Sequence, residues 1–198
     1  MFLRLNVKVL LATLYLTTGF FAFPQTGPSA TEGGVPLAVG GGVSYWDVDW
    51  GHSRMEGGTL WADYYPNRVP SILRGIGLEA EARDVSFNRG DKPSNFRHDT
   101  AGGGVIYAWR HYPNFYPYGK FVMGLASIDF QIPQIPTYTH DTRTFMAPGW
   151  GVQYRVYRHV WARADYEYQF WDKFIGHTPD PQGFTVGAMY DFRRFHQR

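Results

Sequence analysis

Apolar and polar residues alternate along several long stretches of the chain, and this period of two constrains the fold more than any other feature. The clearest stretch alternates Ala162, Ala164, Tyr166, Tyr168 and Phe170 with Arg163, Asp165, Glu167 and Gln169. Side chains of a β-strand point alternately to the two faces of its sheet, so this stretch predicts a strand with one apolar and one polar face. The same alternation recurs at 75–83 and at 146–156.

Eight strand candidates of this kind, separated by turn residues, follow one another along the chain. They span about 38–49, 54–65, 72–86, 98–110, 116–129, 143–157, 159–171 and 183–192. Most exceed the roughly 5–6 residues of an ordinary soluble strand. Their lengths suit a tilted membrane strand of roughly 9–11 residues with short extensions. We therefore predict an all-β fold, an eight-stranded antiparallel up-and-down transmembrane β-barrel.

The connections between these strands alternate in kind. Those after the second, fourth and sixth strands are compact, at Tyr65 to Ser71, at His111 to Phe115 and near Arg158, whereas the others are more polar and mostly longer. This alternation predicts short periplasmic turns and longer outer loops. Aromatic residues near the compact turns predict one interfacial girdle, formed by Tyr64, Tyr65, Tyr112, Phe115, Tyr116, Tyr118 and Tyr157.

The last strand candidate carries a more specific signal. Thr185, Gly187, Tyr190 and Phe192 follow the order polar, glycine, aromatic and terminal Phe. This order resembles the terminal strand of bacterial outer-membrane β-barrels, and residues 37–192 as a whole resemble the small barrels of the OmpA transmembrane and OmpX type. The resemblance implies a strand that closes the barrel against the first one. It also implies two partners, outer-membrane lipid and the barrel insertion machinery.

The two ends of the chain lie outside the predicted barrel. Residues 1–23 combine Arg4 and Lys8 with a following apolar run, which predicts a cleaved signal peptide, with an N-terminal membrane anchor as the alternative. Residues 24–36 are rich in Gly, Pro, Ser and Thr and predict a flexible lead-in. Residues 193–198 follow the barrel as a short basic tail. The predicted location is the outer membrane of a Gram-negative type of cell.

Alternation alone does not say which face of the barrel points inward. The interior of an eight-stranded barrel is just wide enough for side chains, and aromatic side chains from eight long strands would overfill it. We therefore expect the apolar face to meet lipid, while a soluble ligand-binding barrel would have the reverse. The expected inward residues are Asp63, Glu79, Glu81, Arg83, Arg110, Lys120, Arg155, Arg163, Asp165 and Glu167. An unpaired buried charge costs several kcal/mol, so these charges predict a salt-bridged interior network.

Composition excludes several functional classes. The chain has no cysteine, so it has no disulfide, Cys-ligated zinc site or thiol nucleophile. Its 19 basic and 17 acidic residues are mixed along the chain, which argues against a nucleic-acid partner. Two His-Asp-Thr triplets begin with His98-Asp99 and His140-Asp141, which we expect on the outer rim. A metal site there is one alternative, but no ligand spacing supports it, and we predict no metal or cofactor.

These observations predict a monomeric barrel with a structural or surface-interaction role. That role would be envelope integrity, adhesion or recognition through the outer loops, and the sequence does not specify the extracellular partner. A narrow gated channel lined by the interior charges is one alternative. A lipid-A-modifying enzyme that uses Ser127, His140 and Asp141 is another, but no enzyme motif surrounds these residues, and we predict no catalytic activity.

Overall fold

Antiparallel strands form almost all of the regular structure in the computed structural model, which describes residues 34–49, 54–67, 69–70, 73–87, 96–130, 139–172 and 178–193. The strands are β1 (Gly34–Asp47), β2 (Arg54–Tyr64), β3 (Ile76–Phe87), β4 (Phe96–Ala108), β5 (Phe115–Phe130), β6 (Thr139–Arg155), β7 (Val160–Tyr168), β8 (Phe170–Trp171) and β9 (Gln182–Arg193). The predicted signal peptide, most of the lead-in and residues 194–198 lie outside the described residues. No described helix has the length and apolar character needed to cross a membrane.

The strands close into a barrel. Their order is β5-β4-β3-β2-β1-β9-β7-β6, and β5 also pairs with β6, so the sheet returns to its first strand. The short β8 continues β7 beyond Gln169 and pairs with β6. At Gln169 the ladder with β9 is incomplete: the Gln169 N–H donates to the carbonyl of Pro181 at 2.7 Å, but Pro181 has no N–H to donate in return. With β7 and β8 counted as one barrel strand, the predicted eight-stranded up-and-down barrel is confirmed.

The two ends of the barrel differ in what they carry. We call the end that holds the start of β1, the end of β9 and the connections 65–75, 109–114 and 156–159 the terminal rim. We call the end that holds the connections 48–53, 88–95, 131–138 and 172–181 the loop rim. An even number of strands places both ends of the barrel chain on the same rim.

Several strands begin at other residues than the sequence predicts, including β1, β3, β4 and β6. β1 begins at Gly34, so it includes the last residues of the predicted lead-in. β3 begins at Ile76 rather than at residue 72, because the chain turns at Leu73, whose N–H donates to the carbonyl of Pro70 at 2.9 Å. Gly75 then has a φ of 111°, which an L-residue rarely adopts and which ends the turn. The connection between β2 and β3 is therefore longer than the compact turn expected there.

The apolar face of each strand points outward, as expected. Arg163, Asp165 and Glu167 on β7 are buried, whereas Phe170 on β8 is 52% exposed. The outward belt includes Val43, Leu60, Leu78, Val105, Leu125, Trp150, Val186 and Phe184. Such a belt on a closed barrel is the arrangement that satisfies the backbone and presents apolar side chains to lipid.

The predicted aromatic girdle is only partly correct. Tyr64, Tyr112, Phe115 and Tyr157 are exposed on the outside near the terminal rim. Three others lie inside: Tyr65 and Tyr118 are buried, and Tyr116 packs against the buried core. The cause is the alternation of side chains along β5, because Tyr116 and Tyr118 are an even number of residues from the inward Lys120 and so share its face.

Candidate functional site

The middle of the barrel interior holds a layer of charged side chains from β2, β3, β5 and β7. It contains three cations, Arg83, Lys120 and Arg163, and five carboxylates, Asp63, Glu79, Glu81, Asp165 and Glu167. All eight occupy inward positions of the alternation, and all are buried. We call this set the ionic layer.

Lys120 is the centre of the ionic layer. Its Nζ lies 2.5 Å from a carboxylate oxygen of Glu81 and 2.8 Å from one of Glu167. It also lies 3.2 Å from Glu79 and 3.4 Å from Asp165. One ammonium group therefore meets carboxylates from both β3 and β7, which stand on opposite walls of the barrel.

The two arginines complete these connections across the interior. Arg83 on β3 donates from Nη1 to Glu167 Oε1 at 3.0 Å and also pairs with Glu81. Arg163 on β7 donates from Nη2 to Glu79 Oε2 at 2.8 Å and pairs with Asp63 at 3.4 Å. Charge-assisted hydrogen bonds of this kind are roughly twice as strong as neutral ones.

Neutral hydroxyl groups extend the network. The Nε of Arg163 donates to the Tyr118 hydroxyl at 2.7 Å, and that hydroxyl donates to Asp165 at 2.8 Å. The Nε of Arg83 donates to the Thr59 hydroxyl at 3.0 Å. Buried polar groups need such partners, because an unsatisfied one costs free energy.

Apolar layers cover the ionic layer on both sides. Toward the loop rim, one cluster contains Trp46, Val48, Met55 and Val85, and another contains Val122, Ala126, Ile128, Phe145, Ala147 and Trp171. Toward the terminal rim, the clusters are Ala38, Trp61, Trp161 and Met189, and Tyr65, Ile106, Ala108 and Tyr118. The guanidinium of Arg83 lies 3.9 Å from the centroid of the Trp46 ring and that of Arg163 lies 4.7 Å from Trp61. Indole rings thus pack directly against the ionic layer on each side.

The structure brings together eight of the ten charged residues that were expected to point inward. Glu79, Glu81, Arg83, Lys120, Arg163, Asp165 and Glu167 belong to the ionic layer, and so does Asp63. Arg155 lies nearer the terminal rim, with its guanidinium 4.8 Å from the centroid of the Trp161 ring. Arg110 lies in the connection 109–114, stacked 4.3 Å from the centroid of Tyr65.

The terminal-strand residues divide between the two faces of β9. Thr185 is buried in the interior, where its hydroxyl lies 2.9 Å from that of Ser44 on β1. Tyr190 and Phe192 face outward, with their ring centroids 4.9 Å apart. Gly187 lies where β9 meets β1, and a Cβ added to it would stand 2.2 Å from the Gly41 carbonyl oxygen.

The two His-Asp-Thr triplets form no common site in the described part of the structure. His98 is not on the rim as expected but buried, with its ring centroid 4.9 Å from that of Trp171. The neighbouring Asp99 points to the other face and accepts from Arg97 at 3.1 Å. For His140 and Asp141 the structure describes the backbone alone, which pairs them with Asp129 and Ile128. Among the described residues, no group of three His, Asp or Glu side chains could hold a metal ion.

Ser127 lies on the outward face of β5, because Ala126 and Ile128 on either side of it are buried inward. Its backbone pairs with Thr142, and His140 pairs with Asp129, two positions along from Ser127. The register therefore makes Ser127 and His140 diagonal rather than directly opposed neighbours across the strand pair.

Sequence reasoning missed the large side chains that fill the interior. Trp46, Trp61, Trp161 and Trp171 all point inward. The alternation within each strand could have identified them, because Trp61 lies two residues from Asp63 and Trp161 two residues from Arg163, on the same inward face.

Comparisons with known proteins agree with this geometry. Residues 12–192 match the family model described as the outer membrane protein beta-barrel domain. Neisserial surface protein A is similar in structure, with a TM-score of 0.64 and 16% identity over 81% of this chain and 100% of that chain. Ail, the attachment invasion locus protein of Yersinia pestis, has a TM-score of 0.55 and 19% identity over 81% of this chain and 99% of that one.

OprG from Pseudomonas aeruginosa has a TM-score of 0.54 and 12% identity, covering 82% of this chain and 98% of that chain. At these identities the likeness concerns the fold alone. No curated protein sequence is significantly similar to the chain.

Proposed function

Because the chain belongs to the outer membrane protein β-barrel domain family, we propose that it is an outer-membrane barrel with a plugged interior that acts through contacts at its loop rim. In this proposal the terminal rim faces the periplasm and the loop rim faces the outside, which is the usual arrangement of such barrels. The barrel itself supports the loops and takes no part in transport or catalysis.

The plugged interior is the observation that carries this proposal. The side chains of Lys120 and Arg163 are fully buried, and their carboxylate partners come from opposite walls of the barrel. Indole rings lie against the ionic layer toward both rims. A continuous water path would have to pass these rings and separate buried ion pairs, which costs several kcal/mol. This arrangement favours a barrel that only holds the loops in place, and it argues against a narrow channel.

Electrical recording tests the plugged interior. Purified protein inserted into planar lipid bilayers is expected to give no stepwise conductance above that of protein-free bilayers, because the ionic layer and its flanking rings leave no lumen. Insertion is checked in parallel by protease protection of the barrel in vesicles made from the same lipid. Reproducible conductance steps from correctly inserted protein would show an open pathway and overturn this part of the proposal.

The loop rim provides the surface for contacts. In the sequence, three of the four connections there contain large apolar residues: Trp50, Ile132, Ile135, Tyr138, Phe174 and Ile175. The strand ends below them are largely acidic, with Asp47, Asp84 and Asp99 exposed or half-buried, and Arg97 already pairs with two of these carboxylates. Aromatic and apolar residues on a surface favour protein contacts, so we propose a protein partner rather than a polyanion. Two structural neighbours, a surface protein and an attachment invasion locus protein, have names that fit a contact role.

Shortening one loop separates a contact role from a structural one. Residues 131–138 are replaced by a short Gly-Ser linker, a change outside the strands that the barrel is expected to tolerate. We expect cells with this variant to lose adhesion that the full protein confers, while detergent resistance stays at the wild-type level. A control replaces residues 88–95, the loop-rim connection of equal length that contains no aromatic residue, leucine, isoleucine or valine, by a linker of the same composition. Equal adhesion by the loop variant and the wild type would assign the protein a structural role instead.

Three further expectations belong to this proposal. Residues 1–23 act as a cleaved signal peptide, and the β9 residues Thr185, Gly187, Tyr190 and Phe192 are read by the barrel insertion machinery. The barrel works as a monomer without metal or cofactor. We also propose that the protein has no catalytic activity, because no enzyme motif surrounds Ser127, His140 or Asp141 in the sequence.

A further inference from the structure

A cavity opens at the terminal rim, outside the ionic layer and away from the loop rim. It has a volume of about 620 Å³ and lies between the β2–β3 connection, the β4–β5 connection and the end of β9. Ligand pockets of small molecules typically measure about 300–1,000 Å³. The unexpectedly long connection 65–75 forms one of its walls, through residues that include Val69 and Arg74.

One side of the cavity is cationic. Arg74, Arg110 and Arg193 line it, and no Asp or Glu is among its described lining residues. Arg193 is already neutralised, because its Nε donates to the carboxylate oxygens of Asp191 at 2.8 and 2.9 Å. Within the described part of the chain, Arg74 and Arg110 have no carboxylate partner. Two guanidinium groups therefore remain available to a bound anion.

The environment of Arg110 favours such an anion. Its guanidinium stacks 4.3 Å from the centroid of Tyr65, and that of Arg193 lies 4.8 Å from the same ring. Arg110 is exposed as a residue, but desolvation of its guanidinium, and then the like charge of Arg193, lower its pKa below the usual range. An anion placed beside the two arginines would offset this repulsion.

The other side of the cavity is apolar and continues into the lipid-facing surface. Ile76 and Tyr107 are ladder partners on β3 and β4, and both line the cavity. Tyr107 and Trp109 are about half exposed, on the outer face of the barrel near its rim. Tyrosine and tryptophan at this depth are typical of the membrane interface.

From this arrangement we propose that the terminal-rim cavity is a binding site for an anionic phospholipid of the adjoining leaflet, with the phosphate group at Arg74 and Arg110 and the acyl chains along Ile76, Tyr107 and Trp109. A ligand with a charged head and an apolar body fits both sides of the cavity at once. Basic pockets at a membrane surface bind anionic lipid head groups in the same way. Guanidinium groups suit phosphate because their donors match its oxygens in pairs.

Binding is measured on the full barrel in a neutral detergent, by native mass spectrometry during titration. The probes are phosphatidylglycerol, phosphatidylcholine and inorganic phosphate. The wild type is expected to bind phosphatidylglycerol about tenfold more tightly than phosphatidylcholine, with inorganic phosphate much weaker than either lipid. The double variant R74Q/R110Q is expected to lose the preference for phosphatidylglycerol.

A matched control is R158Q, which removes an exposed arginine from the connection 156–159 on the same rim but outside the cavity. It should keep the wild-type preference. If R74Q/R110Q does not fold, the single variant R74Q, at an exposed position outside the strands, should show a smaller loss in the same direction. Equal binding of the two lipids by the wild type, an equal loss in R158Q, or inorganic phosphate binding as tightly as phosphatidylglycerol would each overturn the lipid site.

Discussion

Replacing Lys120 with methionine should lower the free energy of unfolding of the barrel by about 3–5 kcal/mol, the cost of breaking a buried ion pair. Among the described residues, Lys120 alone meets Glu79, Glu81, Asp165 and Glu167 together. Methionine has nearly the length of the lysine side chain and fills the same space, so the loss of stability would come from the missing charge and not from a cavity. Carboxylates already outnumber cations in the ionic layer, and the substitution widens that excess.

The measurement is equilibrium unfolding by guanidinium chloride in lipid vesicles, followed by tryptophan fluorescence. The control is R97Q, which removes a cation that bridges Asp84 and Asp99 on the exposed surface at 2.8 and 3.1 Å. Exposed pairs contribute about 0–1 kcal/mol, so R97Q should unfold close to the wild type. A double variant that adds Glu81→Gln to Lys120→Met should recover part of the loss. Equal stability of Lys120→Met and R97Q would show that the ionic layer does not hold the barrel together.

Replacing Gly187 with valine should prevent the barrel from closing, at a cost of about 3 kcal/mol or more, because overpacking against fixed atoms cannot be relieved by side-chain movement. The Cβ of the new residue would stand 2.2 Å from the Gly41 carbonyl oxygen and 2.5 Å from the Gly42 Cα. Both contacts are with the backbone of β1, the strand against which β9 closes.

Closure is scored by the heat-modifiable fraction on gels after refolding into detergent, a procedure that needs no insertion machinery. Gly58→Val is the matched control, because Gly58 is exposed on the outer face and an added Cβ would meet only the Gly42 carbonyl oxygen, at 3.8 Å. We expect Gly58→Val to fold as the wild type does. A normal folded fraction for Gly187→Val would mean that the pairing of β1 with β9 can shift to make room.

The period-two alternation is sufficient to predict the barrel and its inside-out polarity. Strands such as β7 repeat apolar and charged positions so regularly that Arg163, Asp165 and Glu167 must share one face. The size of an eight-stranded interior then assigns that face to the inside. Which of these charges meet one another depends on the register between strands distant in sequence, and alternation within one strand carries no information about that.

The aromatic content of the interior escaped prediction for a packing reason. The volume argument set aromatic side chains outside, but glycines on neighbouring strands make room for them. A Cβ on Gly40 would stand 2.6 Å from the Trp61 ring, and one on Gly183 would stand 2.7 Å from Trp46. Each of these tryptophans thus packs over a glycine of the neighbouring strand, and this pairing can be recognised only when the register is known.

The position of His98 and the length of the β2–β3 connection were predicted wrongly, because the predicted strand boundaries were off by a few residues. β4 begins at Phe96, so His98 is the third residue of a strand rather than its first, and its parity turns it inward. At the other rim the apolar residues before Gly75 extend the pattern of β3, while the positive φ of Gly75 marks the real turn. A dihedral angle of this kind leaves no trace in hydrophobic periodicity.

The pairing of Arg83 with Glu167 and of Arg163 with Glu79 ties β3 to β7 across the full diameter of the barrel. Ion pairs that span the interior fix the diameter of the barrel as well as its fold. Rising lateral pressure in the surrounding lipid would flatten a barrel without such ion pairs into an ellipse. Here the ion pairs hold β3 and β7 at a constant separation. The barrel should therefore keep the same diameter, and its strand ends the same spacing, as the membrane around it changes in thickness or tension.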